Sequence, residues 1–344
     1  MKSLAFFNNK GGVGKTTLAC NVAAHFTNDY GLRVLIIDGD PQCNSTQLVL
    51  GDDTCDDLYW SGNSYQQNTI IDVLKPIEEG GAEIASDISP MRGTGNRFGV
   101  DILPGHPRMS IVEDLLSRSW AEGIGGELGG LRKTNWSTAL IAHYSAEYDV
   151  IIFDLGPSLG SLNRSVLVGC DYFATPMGAD IFSIVGIRNI GTWLQSWQEN
   201  YRAAIPLCDS RYPGGVARFR HQIKVDPRIG FVGYTVQQYI AKVRHGQRRP
   251  TAAFERILKD VPSEVEASLG NFFALGITPD SAKLGDVPNM FSLIPMAQSA
   301  NSPIDALSTK DGLVGAIYNQ KAKYVKVIRD MATALATNIG VVND

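Results

Sequence analysis

The sequence predicts an α/β protein whose strands lie buried between helices, and three stretches lead to that class. A glycine-rich turn, Asn8 to Thr17, joins the short apolar run Ser3–Phe7 to the Ala- and Leu-rich helical stretch Leu18–Phe26. Val34–Ile37 is a continuous apolar run ending in Asp38-Gly39-Asp40-Pro41-Gln42. Val150–Phe153 repeats the pattern and closes on Asp154. Uninterrupted apolar runs of this length are typical of parallel strands, which need cover on both faces. Carboxylates at the carboxyl ends of such strands stand where open α/β sheets bind ligands.

At 344 residues the chain could hold two domains or one large α/β domain with insertions. The expected organisation is a single domain, 1–344, with an acidic insertion at about 50–98 and a basic stretch at about 211–259. Hydrophobic content of 44% and charged content of 19% are those of an ordinary globular protein. A net charge of −4 excludes a wholesale nucleic-acid coat but leaves local patches open. The five cysteines are scattered with no C-x-x-C, which disfavours a disulfide framework or a zinc or iron–sulfur site. No apolar run approaches membrane-spanning length, and the first residues read as a core strand rather than a leader. The expected location is the cytoplasm.

The turn carries the chemistry. A glycine-rich loop between a strand and a helix gathers backbone N–H groups and the positive helix end around one small volume, which suits a polyphosphate. Gly11, Gly12 and Gly14 remove the Cβ atoms that would hold the oxygens away, with Val13 between them. Lys15 can reach the outer phosphates, and Thr16, followed by Thr17, offers a hydroxyl to Mg²⁺. The strict G-x-x-x-x-G-K-[ST] spacing asks for glycine at position 9, where Asn9 stands, and a second lysine, Lys10, precedes the glycines.

Lys10-Gly11-Gly12-Val13-Gly14-Lys15-Thr16-Thr17 resembles the deviant Walker A motif of the ParA/MinD family of P-loop ATPases. The resemblance implies a mostly parallel, twisted sheet flanked by helices on both faces, with ATP and Mg²⁺ as ligands. It implies that Lys10 crosses an ATP-dependent sandwich dimer to the other subunit's phosphates, as an arginine finger would. Asp38 to Gln42 is similar to the family's D-x-D-P-Q segment, which gives Asp40 the attacking water and Asp38 the Mg²⁺ shell. Asp154 matches the Walker B aspartate, and Gly156 could sense the γ-phosphate through its N–H. Family members usually read D-x-P-P there, so Leu155-Gly156 departs from the pattern.

The rest of the chain follows in order. Residues 50–98 hold nine acids against three bases, with one short helix expected at Thr69–Ile77 and loop elsewhere, an insertion or lid of unreadable role. Val100–Leu103 restores a strand, and Ser110–Trp120 is helical by its spacing. Gly123–Gly130 reads as a flexible link, Leu131–Ala146 as a helix, and Asp171–Pro176 as a strand. Ala179–Trp197 is a long helix that lines the dimer face in the family, although core packing explains its apolar stripe equally well. Ile229–Val236 is a strand, and Gln237 falls where the family contacts adenine. Phe291–Met296 reads as the last strand, with base recognition following Ile294-Pro295.

Between 211 and 259, eleven bases face only Asp226 and Glu255, a local balance of +9. That is the electrostatic footprint of phosphate-backbone binding, densest at Lys242, Arg244, Arg248 and Arg249. A solvated face, or contacts to the acidic insertion, is the competing reading. From Lys321 onward Tyr324, Ile328, Met331, Leu335 and Ile339 form one apolar stripe, read as a core-closing helix rather than a membrane anchor. Because the chain starts at a sheet strand, no helix-turn-helix arm is expected.

The resemblance implies a homodimer with ATP, non-specific DNA, nucleoid association when DNA is bound, and a ParB-like or other cargo-adaptor protein. A nucleotide-dependent switch or adaptor acting on a protein complex without DNA is the alternative.

Overall fold

The computed structural model describes residues 1–60, 68–237, 242–244, 247–249, 252–290 and 292–342, with backbone alone at 242–244, 247–249, 252–255 and 316. The strands are β1 Lys2–Phe6, β2 Val34–Asp38, β3 Asp101–Leu103, β4 Val150–Asp154, β5 Tyr172–Gly178, β6 Gly230–Gln237, β7 Lys242–Arg244, β8 Gln247–Arg249 and β9 Lys283–Val287. The helices of the first half are α1 Lys15–Tyr30, α2 Asn44–Leu50, α3 Asp52–Tyr59, α4 Ile70–Glu78, α5 Met109–Ile124, α6 Leu128–Thr134, α7 Trp136–Tyr144 and α8 Ser161–Gly169. Those of the second half are α9 Ile181–Arg211, α10 Gly215–Arg218, α11 Ala252–Leu269, α12 Pro279–Ala282, α13 Leu293–Ser299 and α14 Ala316–Asn338.

Among the described residues, seven strands form one sheet in the order β3-β2-β4-β1-β5-β6-β9, every pairing parallel. The expected fold class is observed. The period-2 alternation of a strand divides the core in two. Leu4 and Phe6, Val34 and Ile36, and Val150 and Ile152 face α1 and α14, while Ala5 and Phe7, Leu35 and Ile37, and Ile151 and Phe153 face the other layer, which includes α4, α5, α8 and α9. The C-terminal stripe Tyr324, Ile328, Met331, Leu335 and Ile339 is buried in the first of these layers. No helix among the described residues is long and apolar enough to cross a membrane.

Four local expectations change. The insertion holds α3 as well as α4, and Ile70, Ile71, Val73, Leu74 and Ile77 of α4 are buried core side chains. The glycines at 123 and 130 serve close packing rather than flexibility: α6 starts at Leu128, and a Cβ on Gly130 would lie 2.6 Å from the Gly123 nitrogen. Between α6 and α7 the chain breaks at Asn135, whose buried amide donates to the Leu131 carbonyl at 2.8 Å and exchanges hydrogen bonds with the Tyr201 hydroxyl.

The fourth is the segment expected as the last strand. Residues 293–299 form helix α13, with Leu293 and Ala297 buried four residues apart on one side, and the last strand is β9. Periodicity over six apolar residues does not separate a strand from a helical turn, and Pro295 is compatible with a first helical turn.

Candidate nucleotide-binding site

The carboxyl ends of β1, β2 and β4 lie side by side, with Phe6 opposite Asp154 and Asp38 opposite Asp154 in the sheet register. Three loops therefore converge: Asn8–Gly14 after β1, Gly39–Gln42 after β2, and Leu155–Gly160 after β4. They enclose a cavity of about 550 Å³ lined by Gly11, Gly12, Gly14, Lys15, Thr16 and Thr17, with Asp40, Gln42, Asp52 and Pro157 opposite. Asp52, at the start of α3, brings the acidic insertion to this rim.

The first loop's shape follows from its residues. Gly12 and Gly14 have φ of +73° and +76°, a left-handed backbone that glycine adopts without penalty. Asn9 does not have a positive φ, so the glycine missing from the strict motif is not required there. Asn8 holds the loop to the sheet, its amide donating to the Pro176 carbonyl at 2.7 Å and its oxygen accepting the Lys10 N–H at 2.9 Å. Lys15 is buried, and its ammonium donates to the Lys10 carbonyl at 3.3 Å. Burial pulls the Lys15 pKa below its ordinary value, against the opposing pull of Asp154 and Asp40. Lys10 is bound to the Asp180 carboxylate of its own chain. Burial raises the Asp180 pKa, but the bonds from Lys10 and Ser183 outweigh it and leave the group below its usual range.

The carboxylates differ in what they hold. Asp38 is fully buried; it accepts from the Thr46 N–H at 2.8 Å, the Thr46 hydroxyl at 2.7 Å and the Asp40 N–H at 3.2 Å. Burial, with Asp154 adding repulsion, raises its pKa to about 7. Asp38, for which the resemblance implied the Mg²⁺ shell, thus clamps the turn that carries Asp40 to the start of α2. Asp40 accepts from the Gln42 N–H at 3.0 Å and faces the cavity. Asp154 accepts from the Ser45 hydroxyl through Oδ2, and Thr16 lies close enough to favour its charged form. Its pKa rises to about 6 through burial, offset by Ser45, Thr16 and Lys15.

Asp154 Oδ1 is buried and has no hydrogen-bond partner. A buried carboxylate oxygen without a donor calls for a cation or its water shell. With Thr16 beside it, this donor set fits a hydrated Mg²⁺. A cluster of three or more protein ligands of the kind that cages zinc is absent among the described residues.

A second cavity of about 310 Å³ adjoins the first through Gly12, Gly14 and Thr17, and is lined by Leu18, Gln237, Val287, Pro288, Asn289, Met290, Ile294 and Ile328. Its mixture of apolar walls and amides suits a nucleobase. Gln237 is there, its amide so close to the first loop that a Cβ on Gly14 would lie 2.7 Å from its nitrogen. Pro295 is not: it is exposed on α13, whereas Pro288, directly after β9, lines this cavity. The sequence reading missed Pro288, Ser45, Thr46 and Asp180, each ordinary in composition, and Ser45 and Asp180 lie far in sequence from the side chains they meet.

The basic stretch is less uniform than its balance suggests. Arg211 pairs with Glu127, Arg228 with Asp226 at 2.6 Å, and the Lys224 ammonium binds the Gly169 and Cys170 carbonyls and Asp171. Lys242, Arg244, Arg248 and Arg249 lie on β7 and β8, an antiparallel pair in which Lys242 faces Arg249 and Val243 faces Arg248 in register. Their side chains fall outside the described residues.

The parallel sheet, the glycine loop on its central strand and the flanking carboxylates define a P-loop nucleotide-binding protein. The AAA_31 family model, described as an AAA domain, matches residues 1–207. The chain belongs to that family and is a ParA/MinD-like P-loop ATPase. It is similar to the virulence plasmid ParA family protein pGP5-D of Chlamydia muridarum, 29% identical over 199 residues, 57% of this chain and 62% of that protein. The matched region thus spans less than two thirds of that relative's length. The crystal structure of protein DIP2308 from Corynebacterium diphtheriae superposes with a TM-score of 0.72 at 35% identity, covering 88% of this chain and 97% of the other. An ATP complex of a substituted Cyanothece McdA, at 13% identity and TM-score 0.60 over 100% of this chain and 98% of the other, shares the fold alone.

Proposed function

We propose that this protein is an ATP-switched partition ATPase: Mg·ATP assembles a sandwich dimer that binds DNA without sequence preference, and hydrolysis releases it. The observation that carries the reading is the placement of Lys10 beside the nucleotide cavity, next to an exposed apolar helix end. Ile181, Phe182 and Val185 at the start of α9 are exposed, Phe182 by 73%, immediately after the Asp180 that holds Lys10. An apolar patch beside a charged crossing residue is what a nucleotide-dependent dimer face requires. The similarity to pGP5-D, a ParA family protein of a virulence plasmid, supports the reading.

In this reading Gly11 to Thr17 cradle the phosphates with backbone N–H groups, and Lys15 neutralises the outer oxygens. Thr16 and Asp154 Oδ1 would hold Mg²⁺, which when bound offsets charge on the phosphates; Asp38 supports them indirectly through Thr46 and Asp40. Asp40 orients or accepts a proton from the attacking water, and Lys10, released from Asp180, crosses to the partner's nucleotide. Gln237 and the walls around Pro288 receive the base. Turnover is slow without a cargo-bound stimulating protein, and the dimer resides in the cytoplasm on the nucleoid.

The Asp180 contact makes a prediction. Asp180 caps α9 by accepting the Ser183 N–H at 3.1 Å, and asparagine caps equally well. Asp180→Asn therefore keeps the helix start but frees Lys10, and light scattering with a non-hydrolysable ATP analogue should show a larger dimer fraction. An unchanged or smaller fraction would remove the latch from the scheme.

DNA binding is tested on random-sequence duplex. Arg248→Glu with Arg249→Glu should abolish ATP-dependent binding, lower salt should strengthen it in the parent, and ATP hydrolysis should survive the substitution. Normal DNA binding by the double variant would acquit the hairpin. A parent that ignores DNA at low salt in every nucleotide state favours the switch acting on a protein complex, consistent with Arg211, Lys224 and Arg228 already having partners.

A further inference from the structure

The loop after β4 departs from the family pattern at Leu155-Gly156, and the structure shows what replaces it. Leu155 is fully buried against Gly39, where a Cβ would meet its Cδ2 at 2.9 Å. A Cβ on Gly156 would lie 3.1 Å from Asp40 Oδ1 and 3.2 Å from its Cγ, so the Gly156 backbone rests directly on the Asp40 carboxylate. Pro157, the next residue, lines the phosphate cavity. The loop therefore sets both the wall of the cavity and the seat of Asp40.

One side chain holds it. Asn163, on α8 and 1% exposed, donates from Nδ2 to the Gly156 carbonyl at 2.8 Å and to the Ser158 carbonyl at 2.7 Å, straddling Pro157. The start of α8 is itself fixed from outside, because the Glu113 carboxylate of α5 accepts the Ser161 and Leu162 N–H groups. Gly160 leaves room for that carboxylate: a Cβ there would fall on Glu113 Oε1. A single buried amide thus bonds both carbonyls that flank the cavity-facing proline.

We infer that Asn163 is a positioning residue for hydrolysis, holding Gly156-Pro157-Ser158 so that Asp40 keeps its aim at the outer phosphate. The inference rests on the ATPase reading and on Asp40 serving the attacking water. It assigns Asn163 to the reaction step and not to nucleotide capture, since Nδ2 touches only the loop.

The test compares the parent, Asn163→Asp, Asn163→Ala and Asp40→Ala for phosphate release, for affinity to a fluorescent non-hydrolysable ATP analogue with Mg²⁺, and for thermal midpoint. Asn163→Asp has the same shape and lacks both donors; Asn163→Ala covers the case in which that variant does not fold. The expected result is a fall in kcat of about 10-fold or more with analogue affinity within about 3-fold, since small misplacements at a reacting centre cost rate more than binding. A folded variant with parental kcat overturns the inference, as does a loss of affinity equal to the loss of rate. Asp40→Ala separates the two levels. If it is inactive while Asn163→Ala is normal, only the Asn163 role fails; if it hydrolyses like the parent, both readings fall.

Discussion

Asp40→Ala is expected to keep nucleotide bound and to lower phosphate release by about 100-fold or more, the scale of losing a group that acts on the reacting water. The carboxylate is buried at the cavity wall, and only the Gln42 N–H donates to Oδ1 within its own turn. Truncation therefore leaves the three converging loops supported by Asp38, Thr46 and Asn163. Under the proposed cycle the variant accumulates as an ATP-bound dimer and stays on DNA, so binding measured with ADP, with ATP and with the variant in ATP should rise in that order. Turnover within 3-fold of the parent would remove Asp40 from the chemistry. Dimers that persist without DNA retention would keep the switch and discard its proposed surface.

Asp154→Asn should show a clear linkage effect. The folded pKa of Asp154 is about 6 against an ordinary 3.8, and burial is the main cause. An acid with a raised folded pKa loses its proton sooner in the unfolded chain, so stability falls as pH rises from about 4 to about 6. At pH 8 the penalty is on the order of 3 kcal/mol for the metal-free protein, from about 1.4 kcal/mol per pKa unit. Asparagine carries no charge, can still accept from Ser45, and relieves the repulsion that helps raise Asp38. The metal-free variant should thus melt above the parent at pH 8, the gap closing towards pH 4. Mg·ATP should raise the parent's midpoint and leave the variant's nearly unmoved. A variant less stable than the metal-free parent at pH 8 would contradict the burial cost, and a variant midpoint raised by Mg·ATP as much as the parent's would contradict the assignment of Asp154 Oδ1 to the cation.

These two experiments probe different links. The first tests what the cavity does, and the second tests why a buried carboxylate with an unpartnered oxygen is tolerated at the end of β4. Buried charge without a partner is destabilising. Ligand binding to the native state alone offsets that cost, which couples nucleotide occupancy to stability.

The sequence by itself determined the elements whose signals are local. The glycines at 12 and 14 specify a left-handed turn within a few residues, β2 and β4 announce themselves as continuous apolar runs, and Asp38, Asp40 and Asp154 sit at strand ends where the chain must turn. Neither the helical state of residues 293–299 nor the close approach of Gly130 to Gly123 could be read that way, because each depends on what the segment packs against. The same holds for the atoms that finish the site. Ser45 reaches Asp154 across 109 residues, Asp180 reaches Lys10 across 170, and Pro288 rather than Pro295 meets the second cavity only because β9 ends there. Such pairings are set by sheet order and helix packing, which bring remote residues within hydrogen-bond range. Local patterning therefore chose the phosphate loop, while tertiary packing decided which oxygens stay unpartnered and which lysine is held back.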